Sequence, residues 1–90
     1  MSVFQKIEEL INQNRLEEAI ISLNNAIEAD ANNDQLYFLR GKLHWRLGNR
    51  SQAITDYEHA VAINPQSPAR IALDNAQDVI SFFNPDIFNP

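Results

Sequence analysis

The sequence predicts an all-α protein built from pairs of antiparallel helices, and three observations lead to that prediction. Apolar residues recur at helical spacing; Ala53, Tyr57 and Ala60, for example, fall on one face of a helix over residues 50–63. A pattern of small and apolar residues returns after 34 positions. Residues that end helices separate the periodic stretches, and no stretch alternates apolar with polar residues as a half-buried strand would.

The first helix has recognisable signals at both ends. Ser2 followed by Gln5 fits a capping box, in which each side chain binds the backbone N–H of the other residue. Asn14, like Gly48 after the third helix, is a residue type that tolerates the left-handed backbone that ends many helices. Asn14 and Gly48 are also 34 positions apart, so the sequence predicts the same turn twice.

Proline and serine set the limits of the last two helices. Asn64-Pro65 ends the fourth helix, and Ser67 before Pro68 fits an N-cap followed by a first-turn proline, whose missing N–H costs nothing there. The tail after the fifth helix contains two Asn-Pro pairs and is not expected to be helical. We predict helices over about residues 2–13, 16–30, 33–47, 50–63 and 67–82.

The 34-residue period predicts two related structural units. Residues 19–33, moved along by 34 positions, align with residues 53–67, and Ala19 then matches Ala53. A period of this length indicates stacked helical hairpins, each of which buries its apolar face against the next. Small residues fit where two helices cross, because a large side chain there would push the axes beyond about 8–10 Å.

The composition favours one small intracellular domain. The 90 residues carry a net charge of -5 and include no cysteine, so we expect neither disulfides nor thiolate metal sites and place the chain in the cytoplasm. A charged N-terminus and the lack of a long apolar run predict neither a signal peptide nor a membrane span. The negative charge argues against nucleic-acid binding. Between Asp34 and Asp56, however, the charged residues are all basic: Arg40, Lys42, Arg46 and Arg50.

Asp56, Glu58 and His59 form the cluster most suggestive of chemistry. A carboxylate and an imidazole three positions apart share a helix face and could bind a metal. We predict instead that all three are solvated, because they fall off the apolar face and no His or Cys stands at the matching positions of the other unit. Neither a nucleophile with its base nor a glycine-rich phosphate loop is recognisable, so we predict no catalytic site, metal or cofactor.

The second unit resembles a tetratricopeptide repeat (TPR), a helix–turn–helix motif of 34 residues. The matching positions are Tyr37, Gly41, His44, Ala53, Tyr57, Ala60 and Pro65. The sequence departs from the motif at Arg40, where leucine is usual, and at His44, where tyrosine is usual. The first unit fits more loosely, as is expected of an end repeat.

The resemblance implies a right-handed superhelix of five helices over about residues 1–82. We expect repeats over about 1–33 and 34–67, a capping helix over about 67–82 and a tail over 83–90. In the family, the first helices of the repeats line a groove that binds a peptide of another protein without catalysis. The corresponding groove positions here are Phe4, Glu8, Ile11, Phe38, Lys42, Trp45, Arg46, Ala76 and Val79.

These groove positions predict a small adaptor or scaffold. Phe38 and Trp45, with Lys42 and Arg46 beside them, would present aromatic area flanked by positive charge, a mixture that binding hot spots favour. We therefore expect a partner segment that carries apolar and acidic residues. The alternative is a homo-oligomerising structural protein that uses the groove or the aromatic tail. For the oligomeric state we expect a monomer or a weak homodimer.

The basic segment also has a second interpretation, in which acids on neighbouring helices neutralise it inside the protein. Each exposed pair of this kind would contribute about 0.2–1 kcal/mol. The pairs expected from equivalent repeat positions are Glu8 with Lys42, Asp74 with Arg40, and Asp78 with His44.

Overall fold

Five α-helices run through the structure, a computed structural model that describes residues 2–83 and the side chains up to residue 76. Each helix begins and ends within two residues of the predicted bounds, and no residue from 2 to 83 lies in a strand. The predicted all-α, TPR-like class is therefore confirmed. The helices are α1 (Val3–Asn12), α2 (Leu16–Ala29), α3 (Asp34–Arg46), α4 (Arg50–Ile63) and α5 (Ala69–Phe83).

Two turns of the same kind join α1 to α2 and α3 to α4. Asn14 has φ 59° and Gly48 has φ 84°, so both adopt the left-handed conformation that the sequence predicts. In each turn the following residue donates its backbone N–H, at 2.8 Å, to a carbonyl five residues earlier. This is the hydrogen-bond pattern of a Schellman motif, which satisfies carbonyls left open at a helix end. The two hairpins turn alike because the same backbone motif ends both first helices.

Side-chain caps fix the starts of α1, α3 and α5, and the sequence predicts those of α1 and α5. The hydroxyl of Ser2 accepts a hydrogen bond from the backbone N–H of Gln5 at 3.1 Å, and the Gln5 side chain accepts one from the N–H of Ser2 at 2.9 Å. The capping box is therefore confirmed. At the start of α5 the buried hydroxyl of Ser67 accepts from the N–H of Ala69 at 3.1 Å, as an N-cap does.

Two apolar clusters form the core, and α3 contributes to both. Because α3 packs against α2 through one cluster and against α4 through the other, it is the central helix of the stack. The first cluster joins α1, α2 and α3 and contains Ile7, Leu16, Ala19, Leu23, Leu36 and Leu43. The second joins α3, α4 and α5 and contains Tyr37, Ala53, Tyr57, Ala60 and Ala69.

The close crossing of α3 and α4 depends on small residues. A Cβ atom placed on Gly41 would lie 2.7 Å from the ring of Tyr57 and 3.2 Å from the carbonyl oxygen of Ala53. Ala53 and Ala60 on α4 are fully buried. The small residues of the repeat pattern therefore lie in the helix contacts that they were predicted to occupy.

The expectation that Asp56 is solvated is wrong. Asp56 is only 4% exposed, and its two carboxylate oxygens accept hydrogen bonds from the Arg40 guanidinium at 2.8 and 2.7 Å. Arg40 also donates to the side-chain oxygen of Asn24 on α2 at 2.8 Å. The expected pair with Asp74 does not form in the described part of the chain, because Asp56 already occupies the guanidinium. Arg40 thus connects α2, α3 and α4.

His44 completes this polar cluster, whereas Glu58 and His59 lie outside it. The Nε2 atom of His44 is 3.9 Å from a carboxylate oxygen of Asp56. Burial lowers the pKa of His44 below its ordinary value, and this effect exceeds the opposing attraction of Asp56. Glu58 and His59 are exposed, as predicted, and the His59 ring stacks on Tyr37 with centroids 4.4 Å apart. The side chain of Asp78, the predicted neighbour of His44, lies outside the described residues.

Candidate functional site

The aromatic residues Phe38 and Trp45 lie on the side of α3 that meets α4 and α5. Both are half-buried and pack against the second core cluster. The ring centroid of Phe38 is 6.1 Å from that of Tyr57. Phe38 and Trp45 are seven positions apart, close to two helical turns, so they occupy one face of α3. The sequence predicts that these two residues share a face, and in the structure both pack against the second core cluster.

Two cations stack on these rings. The ammonium of Lys42 lies 4.8 Å from the Phe38 ring centroid, and the guanidinium carbon of Arg50 lies 4.4 Å from the Trp45 ring centroid. Both distances are in the range of cation–π attraction. Lys42, Arg46 and Arg50 are all exposed. The surface therefore alternates aromatic area with positive charge that water, or a ligand, can reach.

Arg50 belongs to this aromatic and cationic surface but is not among the predicted groove positions. It is the first residue of α4, whereas the prediction considered only positions on the first helices of the repeats and on the capping helix. The left-handed turn at Gly48 reverses the chain and returns Arg50 to the last turn of α3, beside Trp45. The sequence does contain a signal for this contact, because Trp45 and Arg50 are close in the chain and lie on either side of the predicted turn at Gly48.

A shallow depression of about 230 Å³ opens beside Trp45. Ala76, which is 3% exposed, contributes a small side chain to its wall, and Asn75 is an exposed residue of the lining. The residues that line the depression are Trp45, Tyr57, Ala72, Asn75 and Ala76. We call this depression, together with Phe38, Lys42, Arg46 and Arg50, the α3–α5 surface.

The three groove residues predicted on α1 lie in a different setting. Phe4 is 36% exposed, while Ile11 is half-buried and packs against the first core cluster. Glu8 is exposed and lines a separate shallow depression with Gln5, Glu9 and Asn12. The structure thus joins Trp45 to Ala76 in one depression but gives Glu8 another. The side chain of Val79, the remaining predicted groove residue, lies outside the described residues.

The proposed internal neutralisation applies to only part of the basic segment. Arg40 is paired with Asp56. No salt bridge joins Glu8 to Lys42 within residues 2–76. Of the four basic residues between Asp34 and Asp56, one is therefore used inside the fold and three contribute charge to the α3–α5 surface.

Neither a metal-binding cluster nor a membrane-spanning helix is found among the described residues. In this part of the chain, no three metal-binding side chains come together. None of the helices over residues 2–83 combines the length and the apolar character needed to cross a bilayer. The α3–α5 surface consists of aromatic rings and cations on stacked helices.

The fold and this surface define a helical-repeat protein. A sequence profile described as TPR repeat matches residues 8–48, and a second, described as tetratricopeptide repeat, matches residues 34–67. The chain belongs to the tetratricopeptide-repeat family. Repeats of this family mediate interactions between proteins.

Two similar proteins agree with this assignment. Tetratricopeptide repeat protein 16 of Mus musculus is 32% identical over 72 residues, which cover 79% of this chain but only 9% of that protein. The solution NMR structure of the Bacteroides fragilis protein BF1650 is 33% identical in sequence and matches with a TM-score of 0.85. That match covers 99% of this chain and 91% of the Bacteroides fragilis chain.

Proposed function

We propose that this chain is a non-catalytic adaptor that binds an extended segment of another protein on its α3–α5 surface. The segment carries at least one large apolar side chain with acidic residues next to it. The observation that carries the proposal is the placement of Lys42 on Phe38 and of Arg50 on Trp45, whose ring lines the apolar depression. In this proposal the repeats over about 1–33 and 34–67 form the scaffold, and the helix over about 67–82 closes it.

The charge of the surface selects an acidic partner. Lys42, Arg46 and Arg50 are exposed on a protein whose net charge is -5, so the positive charge is local. A carboxylate near a stacked guanidinium can form a bidentate, charge-assisted hydrogen bond, which is stronger than a neutral one. The same local charge attracts an acidic peptide while the rest of the molecule repels it, and this favours one docking position. It also supports a protein partner over nucleic acid, which would face the negative remainder of the chain.

The depression beside Trp45 supplies the apolar contact. Its walls are the Trp45 and Tyr57 rings and the small side chains of Ala72 and Ala76, so a Leu or Phe side chain would lose water on entering. Asn75, an exposed residue of the lining, offers both a donor and an acceptor to a peptide backbone. Aromatic residues and arginine around a pocket are the arrangement in which binding energy concentrates. The proposed setting of this interaction is the cytoplasm.

Binding can be followed directly, because Trp45 is the only tryptophan in the chain. Short synthetic peptides with one Phe or Leu flanked by Asp and Glu are the probes. A matched set replaces the acids with Lys, and another replaces the apolar residue with Ser. We expect the acidic apolar peptides to shift the Trp45 emission and both matched sets to bind at least about tenfold more weakly.

Charge-reversal variants locate the contact. Lys42→Glu or Arg46→Glu is expected to weaken binding of the acidic peptides, as measured by calorimetry. Lys6→Glu, which makes the same charge change at an exposed position on α1, should leave binding within about twofold, because long-range effects between surface charges are screened by salt. The α3–α5 surface is ruled out as the binding site if Lys42→Glu and Lys6→Glu lose the same affinity for the acidic peptides. It is also ruled out if a folded Trp45→Ala/Arg46→Ala protein binds them unchanged.

A further inference from the structure

A second surface lies on the outer side of the α1–α2 hairpin, away from α3. Val3 is 52% exposed and Ile21 is 59% exposed, both high for large apolar side chains. Two depressions lie between α1 and α2, one of about 300 Å³ near Val3 and one of about 230 Å³ near Ile21. Lys6 and Ser22 line both depressions, so the two form one continuous groove. We call this the α1–α2 outer face; it is separate from the α3–α5 surface.

We infer that the α1–α2 outer face binds a second copy of this chain through a two-fold axis that runs parallel to the helices. Such an axis keeps each residue at its own height along the hairpin and places α1 of one copy against α2 of the other. Each helix then has antiparallel neighbours, as in a four-helix bundle. If an α1 residue and an α2 residue line the same depression within one copy, the α1 residue of one copy consequently faces the α2 residue of the other copy across the interface.

The shapes on this face complement themselves in that arrangement. The depression near Val3 is lined on α2 by the small side chains of Ala26 and Ala29, so the exposed Val3 of one copy fits against the two alanines of the second copy. The other depression contains Leu10 and Ile21, and Ile21 of one copy then contacts Leu10 of the second copy. Protruding side chains meet small or recessed ones at both places, which an isologous contact requires.

The charges on this face complement themselves as well. Lys6 and Glu18 line the same depression, so the two-fold axis brings Lys6 of each copy near Glu18 of the other. Within one copy, Glu18 pairs with Arg15 at 2.9 Å, but both side chains are about half exposed, so that pair leaves the carboxylate accessible and adds little stability. One positive and one negative group on the same face favour a second copy over a partner with a single sign of charge.

The size of the face sets the expected strength. The helices α1 and α2, about 15 and 21 Å long and about 10 Å wide, present roughly 360 Å² per copy. The total of about 720 Å² is below the 1,200–2,000 Å² of stable complexes. The dimer is therefore weak and forms only at high protein concentration. This also separates it from the proposed peptide binding, which uses the other face and needs no second copy.

Sedimentation equilibrium of the whole chain tests the inference. Between about 10 µM and about 1 mM, the range expected for a small interface, the average mass should rise from 10.3 kDa towards twice that value. Ile21→Glu should weaken dimerisation at least about tenfold. Ile71→Glu is the matched control, because Ile71 is 67% exposed on α5 and lies outside the proposed face; its dimerisation should be unchanged. Circular dichroism checks that both variants fold.

A charge exchange separates this arrangement from any other dimer. Lys6→Glu and Glu18→Lys should each weaken association, because each places like charges across the axis, and the combined variant should restore it. Trp45→Ala should have no effect. A constant monomer mass overturns the inference and leaves the face to another segment or partner. The inference is also overturned if Ile71→Glu or Trp45→Ala abolishes the dimer, or if the combined charge exchange fails to restore the dimer.

Discussion

Removing Arg40 is expected to destabilise the protein more than removing the whole ion pair to which it belongs. Arg40→Leu introduces the residue that is usual at this TPR position. It would leave the Asp56 carboxylate, 4% exposed, without the two guanidinium hydrogen bonds at 2.8 and 2.7 Å. Leaving one charge of a buried pair without its partner costs about 3–5 kcal/mol. Because the Arg40 side chain is 21% exposed, water reaches part of this site, and we expect the lower value of about 3 kcal/mol.

The double variant Arg40→Leu/Asp56→Leu should recover most of this loss. It contains no buried charge, and replacing a buried ion pair by apolar residues is often neutral. The comparison is made at pH 7.5 or above, because a protonated His44, 3.9 Å from Asp56, would partly replace the missing cation at lower pH. The double variant therefore distinguishes the cost of an unpaired carboxylate from the loss of Arg40 packing.

Urea unfolding and thermal unfolding, both followed by circular dichroism, measure the free energy of unfolding and the Tm of both variants. For a domain of this size each 1 kcal/mol corresponds to about 4–8 °C in Tm, so Arg40→Leu should melt about 12–24 °C below the unmodified protein. If Arg40→Leu is as stable as the unmodified protein, or if the double variant is no more stable than Arg40→Leu, then Asp56 is not held as a buried carboxylate and this reasoning is refuted.

Three further predictions concern the free energy of unfolding, measured in urea. Gly41→Ala should be destabilising, since its Cβ would lie 2.7 Å from the buried Tyr57 ring; overpacking costs about 1–3 kcal/mol against about 1 kcal/mol gained in helix propensity, and a net gain in stability would contradict the crossing geometry. Gly48→Ala should lower the free energy of unfolding by about 1–2 kcal/mol because of the φ of 84° alone, since nothing lies within 4 Å of the added Cβ. Gly48→Asn should lower it less, because Asn14 occupies the equivalent turn at φ 59°. Burial lowers the folded-state pKa of His44 below 6.5, so the unfolded chain binds more protons and the free energy of unfolding should fall as the pH drops from about 6.5. His44→Gln should reduce the dependence of this free energy on pH, and an identical dependence in the variant would show that His44 is not its source.

The helices and their turns could be predicted because their signals are local. Asn14 and Gly48 reflect a backbone conformation that few residue types tolerate, and Ser2 and Ser67 reflect caps formed within three residues. The 34-residue period adds the relation between the hairpins. Each signal therefore depends on a short stretch of chain or on a comparison of two stretches, both of which a sequence contains.

The site could be predicted only in part because it depends on contacts between helices. The spacing of Phe38 and Trp45 places them on one face, but it does not reveal that Arg50 returns to cover Trp45. Asp56 was expected in solvent because it lies off the apolar face of α4; its burial comes from Arg40, 16 positions earlier on another helix. A polar residue that pairs across helices does not follow the apolar periodicity from which burial was inferred.

The bridge that Arg40 makes to Asn24 on α2 and Asp56 on α4 has a consequence for how the protein opens. In a repeat array, the strength of contacts between neighbouring units decides whether the units unfold separately or in a single cooperative step. Since one guanidinium bonds to both hairpins, separation of α1–α2 from the rest also weakens the attachment of α3 to α4. When the stability of the protein changes, the rates of amide hydrogen exchange in the two hairpins should therefore change together. A state in which only one hairpin is unfolded should be rare.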